Sequence, residues 1–89
     1  MRVLIADDHD LVRETLAAFL QKSGGFEIET ATSLSEAVAK VEKIGRFDVV
    51  LLDYEMPGMN GLEGLAKMRA ANGERTVAIL SGTAPKKIA

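Results

Sequence analysis

The chain has 89 residues, 47% of them hydrophobic, enough to bury one core and too few for two at the usual domain size of roughly 100–150 residues. Lysine and arginine number 11 against 13 aspartates and glutamates, so a formal net charge of -2 offers no broad cationic surface to a nucleic-acid backbone and argues against direct nucleic-acid binding. The absence of cysteine excludes disulfides and thiolate metal sites and suits a reducing cytosol, while the opening apolar run of four residues is far short of a signal core or of the roughly 20 residues of a membrane span; the expectation is one soluble, cytoplasmic domain over 1–89 with no membrane attachment.

Val3, Leu4, Ile5 and Ala6 form a continuous apolar run that stops at Asp7 and Asp8, as a strand buried on both faces would. From Asp10 the period becomes helical: Val12, Leu16, Phe19 and Leu20 share a stripe, Asp10 is placed to cap the free amides, and Gly24 and Gly25 end the run. Phe26, Ile28 and Thr30 alternate with Glu27 and Glu29, which predicts a strand with one wetter face at a sheet edge. Ser33 and Glu36 have the spacing of a capping box ahead of a second helix carrying Ala37, Val41 and Ile44, closed by Gly45.

Val49, Val50, Leu51 and Leu52 repeat the first theme, an apolar strand that ends on Asp53. A loop with Pro57, Gly58, Asn60 and Gly61 leads to a third helix through Leu62, Leu65 and Met68, which should stop at Asn72 and Gly73. Val77, Ala78, Ile79 and Leu80 make a fourth apolar strand running into Ser81 and Gly82. Strand and helix thus alternate three times before a final strand, the signature of an α/β fold with a parallel sheet and helical crossovers. That order suits both flavodoxin-like and nucleotide-binding folds, so it leaves function open.

In such sheets, ligands gather beyond the carboxyl ends of the strands. Asp7, Asp8, Asp53 and Ser81 all leave strands at that end, which predicts three carboxylates and a hydroxyl in one pocket. Two carboxylates about 4 Å apart repel by roughly 4 kcal/mol at an effective dielectric near 20, so the cluster calls for a proton, a lysine or a cation. Oxygen-only donors with room for water favour magnesium or manganese. Each residue also has a plainer use: adjacent acids after a strand often serve a turn and cap, and a serine before glycine often only shapes a turn. His9, the only histidine, reads as a surface residue beside an acidic pair, and Met56, Met59 and Met68 read as packing.

The run from Val3 to His9, the run Val49 to Asp53 followed by Tyr54, Glu55, Met56, Pro57, Gly58, Met59, Asn60 and Gly61, and the run Ala78 to Gly82 together resemble the receiver domain of two-component response regulators. Its start and end are most similar to receivers of the NarL/FixJ type, which carry helix-turn-helix output domains. The resemblance implies a flavodoxin-like (CheY-like) parallel sheet with helices on both faces. It implies that Asp53 accepts a phosphoryl group, that Asp8, Asp53 and the backbone carbonyl of Glu55 bind Mg2+ or Mn2+ with Asp7 direct or through water, and that Ser81 contacts the phosphoryl group. It also implies a histidine kinase as partner and a DNA-binding output domain in the parent protein.

The pattern breaks after the fourth strand. The resemblance calls for a fifth strand and fifth helix that have no counterpart here, so the expectation is a truncated receiver, and Lys86 and Lys87 come too soon after Ser81 to replace the family's phosphoryl-pairing lysine. An apolar strand Val77 to Leu80 at a sheet edge would invite association, hence an expected homo-oligomer. The rival function is a truncated receiver that no longer switches and acts as an assembly fragment. An aspartate-based phosphohydrolase is disfavoured because position 55 is Glu and no Asp-x-Asp pair starts at Asp53; a turnover enzyme is not expected.

Overall fold

A computed structural model describes residues 1–80. The elements run β1 (Arg2–Ala6), α1 (Asp10–Ser23), β2 (Glu27–Ala31), α2 (Leu34–Ile44), β3 (Val49–Asp53), α3 (Leu62–Ala71) and β4 (Thr76–Leu80). All strand pairs are parallel, in the order β2-β1-β3-β4. The chain therefore builds outward from β1 to β2, then crosses back over β1 to lay down β3 and β4, and the reversal falls between β1 and β3.

Register decides which apolar residues share a face. Leu4 pairs with Val50, which pairs with Val77, and Ala6 pairs with Leu52, which pairs with Ile79. These residues pack with Leu34, Ala37 and Val41 of α2 and Met68 of α3 into the main core. Side chains alternate along a strand, so Val3, Ile5, Val49 and Leu51 turn to the other face, where α1 packs over β1 and β2. Met56, Met59 and Met68 are all buried in the core, as their packing role requires.

Three local expectations change. Asp10 does not cap α1: His9 holds the cap position without a side-chain bond, and the Asp10 carboxylate instead accepts from Arg13 Nη2 at 2.7 Å. Ser33 does cap α2, its hydroxyl accepting the Glu36 N–H at 3.2 Å, but Glu36 turns past Ser33 to accept from the Thr32 N–H at 2.7 Å and the Thr32 hydroxyl at 2.9 Å. Those two donors hold the Glu36 carboxyl below its ordinary pKa. The stripe on α1 is also less covered than its spacing suggests, since no residue of this helix is buried and Phe19 is 66% exposed.

Candidate functional site

Two backbone continuations set the site. The Asp7 N–H donates to the Ala31 carbonyl at 3.0 Å, extending the β1–β2 ladder one residue past the strand, and the Tyr54 N–H donates to Leu80 at 3.2 Å, extending β3 along β4. Both acids at these ends are thereby held at the rim of the sheet, and each is 3% exposed. The loop after Asp53 is tied down in turn. Leu34 N–H donates to Pro57 at 3.1 Å, and Gly58 follows at φ 89°, where a Cβ would sit 3.2 Å from Leu34 Cβ, so this turn is specific to glycine.

Asp7, Asp8, His9 and Asp53 form one group in which four donor atoms, one from each side chain, lie within 4.8 Å of one another. Asp7 Oδ1 accepts the His9 backbone N–H at 2.8 Å and meets His9 Nδ1 at 2.9 Å. The same Nδ1 stands 3.3 Å from Asp8 Oδ1 and 3.4 Å from Asp53 Oδ2. Arg13 braces the turn from α1 by donating Nη1 to the Asp7 carbonyl at 2.9 Å. Asp53 Oδ1 accepts the Glu55 N–H at 3.1 Å, while its Oδ2 is buried with no hydrogen-bond partner among the described residues.

The electrostatics follow from this packing. Burial pushes the Asp53 carboxyl above its ordinary pKa, and the Asp7 charge and the carboxyls of Asp8 and Asp7 add to the rise, while the Glu55 N–H pulls it down. The Asp7 hydrogen bond, followed by the Asp8 charge, raises the His9 imidazole against the effect of its partial burial. An orphaned, buried carboxylate oxygen facing two further carboxylates is a donor set that fits a hard divalent cation such as magnesium.

The structure therefore brings Asp7, Asp8 and Asp53 together as the sequence requires. Glu55 is exposed, and its N–H contributes to the site by fixing Asp53. Ser81, with Pro85, Lys86 and Lys87, lies outside the described residues. The reading of His9 as a surface residue captures only half of its placement: the ring is largely exposed, but Nδ1 points into the carboxylate cluster. The signal for this was the two-residue separation from Asp7, whose carboxylate captures the His9 N–H and thereby aims the ring.

A parallel sheet that reverses its strand order between two buried acids, with a cluster of three carboxylates at that point, defines a doubly wound α/β domain. The chain belongs to the response regulator receiver domain family, whose model matches residues 3–89, and is a phosphoacceptor module of two-component signalling. It is similar to the cell cycle transcriptional regulator CtrA of Caulobacter vibrioides, with 37% identity over 83 residues that make up 93% of this chain and 35% of CtrA. Among solved structures it is similar to the chemotaxis protein CheY4 of Vibrio cholerae, with 36% identity, a TM-score of 0.80, and coverage of 98% of this chain and 73% of CheY4. It is also similar to response regulator TrrA of Thermotoga maritima in complex with Mg2+-BeF, with 35% identity, a TM-score of 0.77, and coverage of 98% and 76%. The chain spans 19% to 38% of the length of the first curated relatives it matches. These likenesses do not favour the rival reading of a fragment that has lost switching. Among the described residues, no helix is long and apolar enough to cross a membrane.

Proposed function

We propose that Asp53 is the phosphoacceptor of this receiver, with Asp7, Asp8, Asp53 and the backbone carbonyl of Glu55 holding Mg2+ or Mn2+. The observation that carries the reading is Asp53 Oδ2, a buried carboxylate oxygen with no hydrogen-bond partner among the described residues, facing the Asp7 and Asp8 carboxylates. A carboxylate is a poor nucleophile toward an anion, so transfer depends on positioning and charge neutralisation. The Glu55 N–H fixes the Asp53 carboxylate, one oxygen of which attacks phosphorus; a new O–P bond forms as the bond from phosphorus to the donor's leaving atom breaks. The bound cation supplies neutralisation of the phosphoryl oxygens. Ser81 donates its hydroxyl to one of those oxygens.

The phosphoryl donor is a histidine kinase or a small phosphodonor, and the parent protein carries a DNA-binding output domain, a reading supported by the likeness to a transcriptional regulator. The domain works in the cytoplasm, acts as an acceptor without turnover chemistry of its own, and forms a single receiver unit over 1–89 that self-associates along the β4 edge. Mass spectrometry after treatment with acetyl phosphate and magnesium tests the central assignment. A single phosphoryl mass gain, absent in Asp53→Asn, is expected; a gain retained in that variant refutes it.

A further inference from the structure

We infer that His9 is a direct nitrogen ligand of the cation in the acidic pocket, and that it biases this site toward first-row transition divalent cations over magnesium. The inference rests on the proposed cation site and adds a ligand and a selectivity to it. Its first support is geometry. Around a cation with ligands at about 2.1 Å, neighbouring octahedral ligands stand about 3 Å apart and opposite ones about 4.2 Å apart. His9 Nδ1 meets oxygens of Asp7, Asp8 and Asp53 at 2.9, 3.3 and 3.4 Å, separations close to those of adjacent ligands around one centre. The full set of four donor atoms spans no more than 4.8 Å.

The second support is independent of the cluster's acidity. Asp53 Oδ2 is buried with no hydrogen-bond partner among the described residues, and this same Nδ1 stands 3.4 Å from it. A surface histidine would turn its ring to water and leave both nitrogens there. Here the Asp7 carboxylate captures the His9 backbone N–H at 2.8 Å and so aims the ring inward from a fixed turn. For the imidazole to ligate, the ring must be neutral, with its one proton on Nε2 and the Nδ1 lone pair facing the cation.

The chemical consequence is selectivity. Three carboxylates alone make an oxygen site of the magnesium type, whereas imidazole nitrogen adds affinity in the order of the divalent transition series, from manganese toward nickel and copper. His9 is the only histidine in the chain, which makes the ligand assignable without any substitution.

Electron spin-echo envelope modulation of the full chain loaded with Mn2+ alone, at one fixed pH, provides the test. We expect 14N modulation that converts to the 15N pattern when the chain is grown with 15N-histidine, and that disappears in His9→Gln. Titrations with Mn2+ and Mg2+ in parallel are expected to show the ratio of their affinities falling about tenfold in His9→Gln, the low end of the loss seen when a group supporting a metal is removed. Mn2+ binding that depends on Asp8 and Asp53 but carries no histidine-derived modulation overturns the inference and leaves the cation site standing. Absence of any Mn2+ or Mg2+ binding in the unsubstituted chain overturns both.

Discussion

Asp53→Asn tests the physical account of the pocket more sharply than any loss-of-function change, because it should make the cation-free chain more stable. The substitution keeps the shape and removes a charge that is 3% exposed and whose Oδ2 has no hydrogen-bond partner among the described residues. Leaving a buried acceptor unsatisfied costs about 1–3 kcal/mol, and more for a charged one, so the amide variant is expected to gain at least about 1 kcal/mol. For a domain of this size that is a rise in Tm of roughly 4–8 °C. The gain depends on pH in a defined direction. Burial raises the Asp53 carboxyl in the folded chain above its ordinary 3.8, so the folded form holds the proton more tightly. That stabilising contribution is fully present below the ordinary value and is lost as pH rises through the folded one, which leaves the wild-type chain weakest relative to the variant near neutrality. Urea unfolding in chelator at pH 7 and at pH 3 measures both effects. Magnesium at 100 times its dissociation constant adds about 2.7 kcal/mol to the wild type and far less to the variant, so the gap closes or inverts. A variant no more stable than wild type in chelator at pH 7 would refute the reasoning.

Three further outcomes are expected. In Gly64→Ala the new Cβ would stand against the Met59 carbonyl and 2.6 Å from Met59 Cα, both backbone, so the variant loses about 1–3 kcal/mol in urea unfolding despite alanine's better helix propensity. Asn72→Ala removes two buried bonds, one accepted from the Phe47 N–H at 2.7 Å and one donated to the Phe47 carbonyl at 2.9 Å; a loss of about 2–4 kcal/mol is expected by the same measurement, and a loss below about 1 kcal/mol would mean water replaces both. Light scattering across a wide concentration range is expected to show mass rising above that of one chain, through the β4 edge; a constant monomer removes the self-association proposal.

The sheet was legible because the relevant signal is short and local. Four apolar residues ending on an acid mark β1 and β3, and the alternation from Phe26 to Thr30 marks β2 as an edge, where the sheet order places it. Asp7, Asp8 and Asp53 were legible as a site for the same reason, since parallel strands in register put their ends side by side. The coverage of α1 was not, because periodicity reports which residues share a stripe but not whether a neighbour covers it: Phe19 and Val12 of that stripe lie on exposed surface, Val12 at 43%. Asp10 was misassigned as a cap because Arg13, three residues on, competes for its carboxylate. His9 was missed for a related reason: the aim of its ring depends on a hydrogen bond between its own backbone and Asp7, which no periodicity encodes.

Burial and charge are separable contributions at this site, and Asp8 separates them. Asp53 and Asp7 are buried by the sheet itself, because Leu52 and Ala6 must enter the core and the next residues follow them to its rim. Asp8 belongs to the same cluster, yet its side chain is 37% exposed, so water already solvates its charge in the cation-free chain. Asp8→Asn should therefore weaken magnesium binding much as Asp53→Asn does while raising the stability of the cation-free chain far less. If both variants were stabilised equally, mutual repulsion rather than desolvation would dominate the pocket, and the orphaned oxygen of Asp53 would lose its special standing. If only Asp53→Asn is stabilised, the unfavourable burial of one oxygen accounts for its raised carboxyl and for the fragility of the cation-free state. The same buried oxygen then supplies part of the affinity for a cation, since binding relieves a cost that folding has already imposed.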